Sequence, residues 1–176
     1  MPSRLGRLYA YSKDTAFDAQ ENFTTEALAM AIADDPRPMI RALRGLDAKQ
    51  VARVGMLERI DLGSTVALRS STQVSLPGGG WLDLVLEVLS EGGSTIGAVW
   101  LEVKIGAPES GDQLDSYERH ARQAECPVWL ITLAHAPLRD TVPNLTWNEL
   151  YRAVRRPQSP RRSWRDFLTF LEEQNV

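Results

Sequence analysis

Two apolar runs, "WLDLVLEVLS" and "TIGAVWLEVKI", stand on either side of "EGGS", and no other part of the chain restricts its fold so tightly. Runs rich in Val, Leu, Ile and Trp that flank a Gly-containing turn predict an antiparallel hairpin. Side chains alternate across a strand, so Leu82, Leu84, Leu86 and Val88 share one face while Trp81, Asp83, Val85, Glu87 and Leu89 share the other. In the second run Val99, Leu101, Val103 and Ile105 form the apolar face, leaving Ile96, Ala98, Trp100, Glu102 and Lys104 on the reverse. Matching apolar face to apolar face fixes the parity of the register, because a one-residue slip turns one strand over. With the turn centred on Gly92 and Gly93, Val85 meets Trp100 and Asp83 meets Glu102. A two-residue shift would move the acids one pair apart and keep their face.

Like charges directly opposed on neighbouring strands are destabilising. A hard divalent cation compensates for them, since Mg²⁺ takes oxygen ligands from one or two carboxylates and keeps several waters. Lys104 follows Glu102 on the same face and either offsets the repulsion or positions a water. A Glu and a Lys two apart on a strand are by themselves an ordinary solvated pair; the opposed Asp83 makes them a candidate site.

Around the hairpin the period changes. "TTEALAMAIADD" predicts a helix capped by Thr24 or Thr25, with Glu26 in its first turn and Pro36 and Pro38 ending it. "MIRALRGLDAKQVARVGMLERI" predicts one or two further helices broken near Gly45. From Ser64, "STVALRSSTQVSL" reads as a strand that "PGGG" turns into the hairpin. "DQLDSYERHARQA" reads as a helix with Asp112 as N-cap, and "CPVWLITLA" as a buried strand reached by a right-handed parallel crossover. "TWNELYRAVRR" and "SWRDFLTFLEEQ" read as helices, the second capped by Ser163. The order predicts an α/β fold, a mixed sheet with helices on both faces. We expect a single domain over 1–176, with a core at about 21–134 and a helical C-terminal extension over 141–176.

Cys126 is the only cysteine, which excludes an internal disulfide and a cysteine-rich zinc site. No apolar run approaches the roughly 20 residues of a bilayer-spanning helix, and "MPSRLGRLYAYSKD" has no apolar core of a secretory signal, so a cytoplasmic protein is expected. The net charge of −3 does not advertise a nucleic-acid binder, yet "YRAVRRPQSPRRSWRD" concentrates Arg152, Arg155, Arg156, Arg161, Arg162 and Arg165 against a single acid. Such a patch neutralises phosphates even on an acidic protein, and reads equally as a solvated helix end.

Asp83 on one strand, "LEVK" on the next, and Gln113 and Tyr117 one turn apart on the following helix together resemble the PD-(D/E)XK nuclease superfamily. The Gln-x-x-x-Tyr element is similar to that of recombination exonuclease domains, and "ENFTTEAL" resembles a first helix whose glutamate points into the metal site. The resemblance implies a restriction-endonuclease-like αβββαβ core, here with extra terminal helices. It implies that Asp83 and Glu102 hold Mg²⁺ or Mn²⁺, with the Val103 carbonyl as a further ligand and Glu26 completing the cluster. Lys104 would orient or deprotonate the attacking water and neutralise transition-state charge, and Gln113 and Tyr117 would hydrogen-bond the phosphate or brace Lys104. The implied activity is metal-dependent hydrolysis of phosphodiesters, of DNA rather than RNA, in phage defence, restriction or repair. Arg152, Arg155, Arg156, Arg161 and Arg162 would grip the backbone, and the chain would act as a homodimer or as a module of a larger protein. The alternative is a catalytically inactive module of the same fold that binds nucleic acid or a protein partner. Trp81 and Trp100 read as core or wall, and His120 as a surface histidine.

Overall fold

The computed structural model describes residues 5–6, 19–50, 62, 67–77, 79–106, 111–155 and 160–176. Its strands are β1 (Ala67–Ser75), β2 (Trp81–Leu89), β3 (Thr95–Val103), β4 (Val128–Ala134) and β5 (Asn144–Thr146). Its helices are α1 (Ala19–Asp34), α2 (Arg37–Gln50), α3 (Gly111–Ala121), α4 (Trp147–Arg155) and α5 (Arg162–Gln174). The strands form one sheet in the order β1-β2-β3-β4-β5. β1, β2 and β3 are antiparallel neighbours, and β4 and β5 run parallel to β3. This is an α/β fold with a mixed sheet flanked by helices, and it contains the expected αβββαβ order.

The hairpin has the register that its apolar parity requires: Leu84 pairs with Leu101, Val85 with Trp100 and Leu86 with Val99. Leu84, Leu86, Val88, Val99, Leu101 and Val103 pack against α1, α2, α4 and α5 in the main core. The opposite face is covered by α3, whose Leu114 and Tyr117 meet Leu82 and Leu130, with Ala121 against Ala98 and Val128 further along. Leu82 thus leaves the face of Leu84, Leu86 and Val88 on which alternation set it, because the ladder is irregular where Gln73 adopts φ 49.

Several element ends differ from the sequence expectations. α1 starts at Ala19, so Thr24 and Thr25 are interior and their hydroxyls donate to the carbonyls of Gln20 and Glu21 at 2.8 Å each. A threonine that satisfies itself on the preceding turn does not mark a helix start. Glu26 is consequently mid-helix, and the first-turn acid is Glu21. α2 runs through Gly45, where the cost of roughly 1 kcal/mol for an exposed glycine is outweighed by burial of Met39, Leu43 and Leu46. Asp112 and Ser163 are each the second residue of their helix rather than its cap; Arg161 stands at the N-cap of α5, and the Ser163 hydroxyl donates to Asp34 Oδ2 at 2.6 Å. The expected helix over 51–61 and strand start at 64–66 lie outside the described residues. β5 was not anticipated, because three residues are too few to display a period. No helix among the described residues is long and apolar enough to cross a membrane.

The C-terminal segment is part of the core rather than an appendage to it. Trp164, Phe167 and Phe170 are 0% exposed and belong to the main cluster, and Trp164 Nε1 donates to the Asp35 carbonyl at 2.7 Å. Trp164→Ala should therefore cost about 3–5 kcal/mol of stability in urea or thermal unfolding. Arg162→Ala, at an exposed position two residues earlier, should stay within about 0.5 kcal/mol.

Candidate active site

The ladder between β2 and β3 ends at Leu84 and Leu101. One residue further, the Asp83 side chain replaces backbone pairing, its Oδ2 accepting the Val103 N–H at 2.9 Å. That bond holds the carboxylate over the end of β3, beside Glu102. Across on β1 the ladder skips Gln73, which has φ 49, a left-handed conformation uncommon outside glycine. Gln73 Nε2 donates to Asn22 Oδ1 on α1 at 3.1 Å. The side chain that alternation would set beside Asp83 is thus tied to a helix on the other face.

Glu102 is 0% exposed. What balances it is an ion pair: Lys104 Nζ lies 2.9 Å from Glu102 Oε1 and 3.2 Å from Glu21 Oε2. Glu21 Oε1 also accepts the Ile105 N–H at 3.2 Å, which fastens the first turn of α1 to the chain leaving β3. The Lys104 main chain is fixed on both sides, its N–H on the Leu133 carbonyl at 2.9 Å and its own carbonyl on Trp147 Nε1 at 3.0 Å. Beside Glu102 on β4 lies Thr132, also fully buried, whose hydroxyl donates to Asn144 Oδ1 of β5 at 2.7 Å. Asp83, Glu102, Thr132 and Asn144 form a polar row across the sheet.

Burial raises the Glu102 carboxyl, the Asp83 charge adds to it, and Lys104 opposes; the result is about 7. Asp83 is also raised, burial outweighing the Val103 N–H and Lys104. For Lys104, burial works to lower the ammonium, but Glu102, Glu21 and Asp83 outweigh it and hold it above the ordinary lysine range. Lys104 is therefore a fixed positive charge rather than a base in this arrangement.

Glu26 is not brought to the cluster. It is exposed and accepts from the Thr72 hydroxyl, and five residues of helix turn it about 140° away from Glu21. Glu21 occupies the place expected of Glu26. Both glutamates stand in "ENFTTEAL"; a helix started at Thr24 leaves Glu21 outside it. Val103 meets the site through its N–H. Gln113 Nε2 donates to the Tyr117 hydroxyl at 2.6 Å, and that hydroxyl donates to the Trp81 carbonyl, so the pair braces the start of β2 rather than Lys104. Burial, then the Glu102 charge, raise the Tyr117 hydroxyl and keep it a donor.

The arginine segment is largely engaged in structural pairs. Arg155 lies 3.0 Å from Glu172, Arg161 3.2 Å from Asp34 and Arg162 3.7 Å from Asp166. Asp34 ends α1 while Glu21 is in its first turn, which puts Arg161 about 20 Å from the acids along the helix. Arg152 is exposed on α4, and Arg156 lies outside the described residues. Trp81, expected as core or wall, is 58% exposed, whereas Trp100 is half-buried.

The Asp83 and Glu102 carboxylates are an all-oxygen donor set, suited to a hard cation. Among the described residues no three acidic, histidine or cysteine side chains converge as a ready metal cage. The Lys104 ammonium stands between Glu21 and Glu102 instead.

A raised carboxyl destabilises the folded chain as pH rises. Below the ordinary value of 4.5 Glu102 is protonated in both states, whereas between 4.5 and about 7 the unfolded chain releases a proton that the folded chain retains. Stability from this group is therefore lost on going from pH 5 to pH 8 in EDTA. Glu102→Gln should flatten that loss in thermal melts at the two pH values; an unchanged slope would count against the burial argument.

No protein-family model matches the chain, and no curated protein matches it by sequence. Among solved structures, a chain described as "MspJI Restriction Endonuclease in Complex with 27-mer Oligonucleotide" is similar at 13% identity and a TM-score of 0.36. The match covers 94% of this chain and 38% of that one, so this chain spans well under half the length of its structural neighbour.

Proposed function

We propose that the chain is a divalent-metal-dependent nuclease that hydrolyses phosphodiester bonds, DNA in preference to RNA. One observation carries the reading: Asp83, Glu102 and Lys104 meet at the adjoining ends of β2 and β3, and the buried Glu102 carboxylate is paired with the Lys104 ammonium. Asp83 and Glu102 would hold Mg²⁺ or Mn²⁺, with Glu21, rather than Glu26, as the third acid. A bound cation supplies a more acidic water and stabilises charge on the phosphoryl oxygens. Lys104 then turns from balancing Glu102 to neutralising negative charge at the scissile phosphate. Thr132 and Asn144 continue the polar row behind Glu102, and Tyr117 and Gln113 keep Asp83 in place by holding the strand that carries it. Arg152 and Arg155 lie roughly 8 and 12 Å along α4 from Trp147, which touches Lys104; on this reading they would meet the nucleic-acid backbone. The resemblance to the PD-(D/E)XK superfamily assigns such an enzyme to phage defence, restriction or repair.

A second reading, an inactive module that binds nucleic acid or a protein, is favoured by the position of Lys104 between the two glutamates. One assay separates them. Linear, circular and single-stranded DNA and RNA are incubated with Mg²⁺, Mn²⁺ or EDTA. The nuclease reading expects cleavage that EDTA abolishes and that Asp83→Asn, Glu102→Gln and Lys104→Ala each reduce by about 10²-fold or more. Glu21→Gln should lower the rate further than Glu26→Gln, which should stay within a few-fold of the natural chain. Cleavage in EDTA, or full activity in Lys104→Ala, would sink the mechanism.

A further inference from the structure

In a regular ladder, side chains two residues apart stay on one face of the sheet. The β1–β2 ribbon departs from that rule, and both strands depart at the same level. Leu68, Ser70 and Thr72 face α1: Leu68 joins the main core, the Ser70 hydroxyl donates to the Ala29 carbonyl at 3.2 Å and Thr72 donates to Glu26. Val74 and Leu76, next in that series, pack beneath α3 instead. On β2, Leu84, Leu86 and Val88 lie in the main core while Leu82 lies with Val74 and Leu76. The pairing does not slip, because Thr72 pairs with Leu84 and Val74 with Leu82. No residue is inserted, so the exchange of faces is a local turn of the backbone.

That turn falls between the two pairs, at Gln73 on β1 and Asp83 on β2. Gln73 has φ 49; among the described non-glycine residues the only other positive φ belongs to Asn175, which ends α5. Asp83 stands opposite, where the ribbon passes from one face to the other, and its carboxylate reaches along the sheet to the Val103 N–H at 2.9 Å. The Gln73 side chain holds Asn22, the neighbour of Glu21 on α1.

We propose that Gln73 is a positioning residue, whose left-handed backbone lays the Asp83 carboxylate onto the end of β3 beside Glu102. The inference rests on the nuclease reading for the use made of Asp83, and deepens it with a residue that touches neither metal nor phosphate. With an extended residue at 73 the ladder would run on. Leu82 would return to the main core, and Asp83 would stand upright in the apolar layer beneath α3 that Leu82 now fills.

The left-handed region admits Gly freely and Asn often, and is an outlier for β-branched residues. Gln73→Val and the more polar Gln73→Thr therefore favour the regular ladder, whereas Gln73→Gly and Gln73→Asn keep the turn. The first readout is the Val103 amide proton, followed by NMR in EDTA. In Gln73→Val and Gln73→Thr, as in Asp83→Ala, it should move upfield and exchange about tenfold faster relative to the Leu86 amide, a reporter of global opening. In Gln73→Gly and Gln73→Asn it should stay in place. Asn22→Ala, which removes only the tether to α1, and Ser71→Val, a β-branched residue at an exposed and regularly paired position, should also leave it in place. The second readout is Mg²⁺-dependent cleavage, which should fall about a hundredfold in Gln73→Val and Gln73→Thr and stand about tenfold or more higher in Gln73→Gly. A Val103 amide unchanged in the β-branched variants, or lost in Gln73→Gly, overturns the inference and leaves the nuclease reading standing if the natural chain cleaves with Mg²⁺. If the β-branched variants do not fold, the Gln73→Gly amide alone decides. An amide displaced as expected in a protein that cleaves no nucleic acid keeps the turn and removes the nuclease reading.

Discussion

A carboxylate with no solvent exposure on a central strand is expensive, several kcal/mol for an ion left without compensation. Glu102 is in that position, with Asp83 beside it and the Lys104 ammonium against one oxygen. The surrounding structure is organised by that pairing. Lys104 is held by β4 through its N–H and by α4 through its carbonyl, and α1 brings Glu21 to its other side. Three acids and one base of the chain thereby form a charged pocket at one end of an otherwise apolar sheet. On the nuclease reading proposed above, the excess of carboxylates over ammonium in this poorly solvated place would be offset by a further cation.

The two faces of the sheet divide the labour. The face toward α1, α2, α4 and α5 is the main core and supplies rigidity, with the aromatic side chains of α5 sealing it. The other face is covered by α3, whose Leu114 and Tyr117 cluster with Leu76, Leu82 and Leu130 and with Val74 and Val85, while Ala121 meets Ala98 and Val128. Gln113 and Tyr117 tie α3 to the start of β2 through the Trp81 carbonyl. A pair of residues expected at the phosphate thus acts one step back, fixing the strand from which Asp83 projects.

The hairpin was legible because alternation has a period of two and both strands carry a clear apolar set; only one parity buries both. From that parity the shared face of Asp83, Glu102 and Lys104 follows without any tertiary information. Glu26 illustrates the opposite case. Its expected role depended on where α1 begins, and interior threonines that bond the preceding turn mimic a cap. Once the helix starts at Ala19, Glu21 faces Lys104 and Glu26 faces Thr72. The partners of the arginines were opaque for a related reason: their density in sequence carries no information about partners, and Asp34, Asp166 and Glu172 come from other turns and helices.

What the sequence determined by itself was the local pattern: strands, their facing sides, the helix–strand order and the acidic pair with its lysine, all set by short-range periodicity and sterics. Tertiary structure alone decided which glutamate of α1 reaches Lys104, that Tyr117 bonds a main-chain carbonyl, that β5 joins the sheet and that the Trp81 ring stays in solvent. Those outcomes depend on how elements distant in the chain pack, and a contact between Glu21 and Lys104, 83 residues apart, leaves no trace in either local stretch.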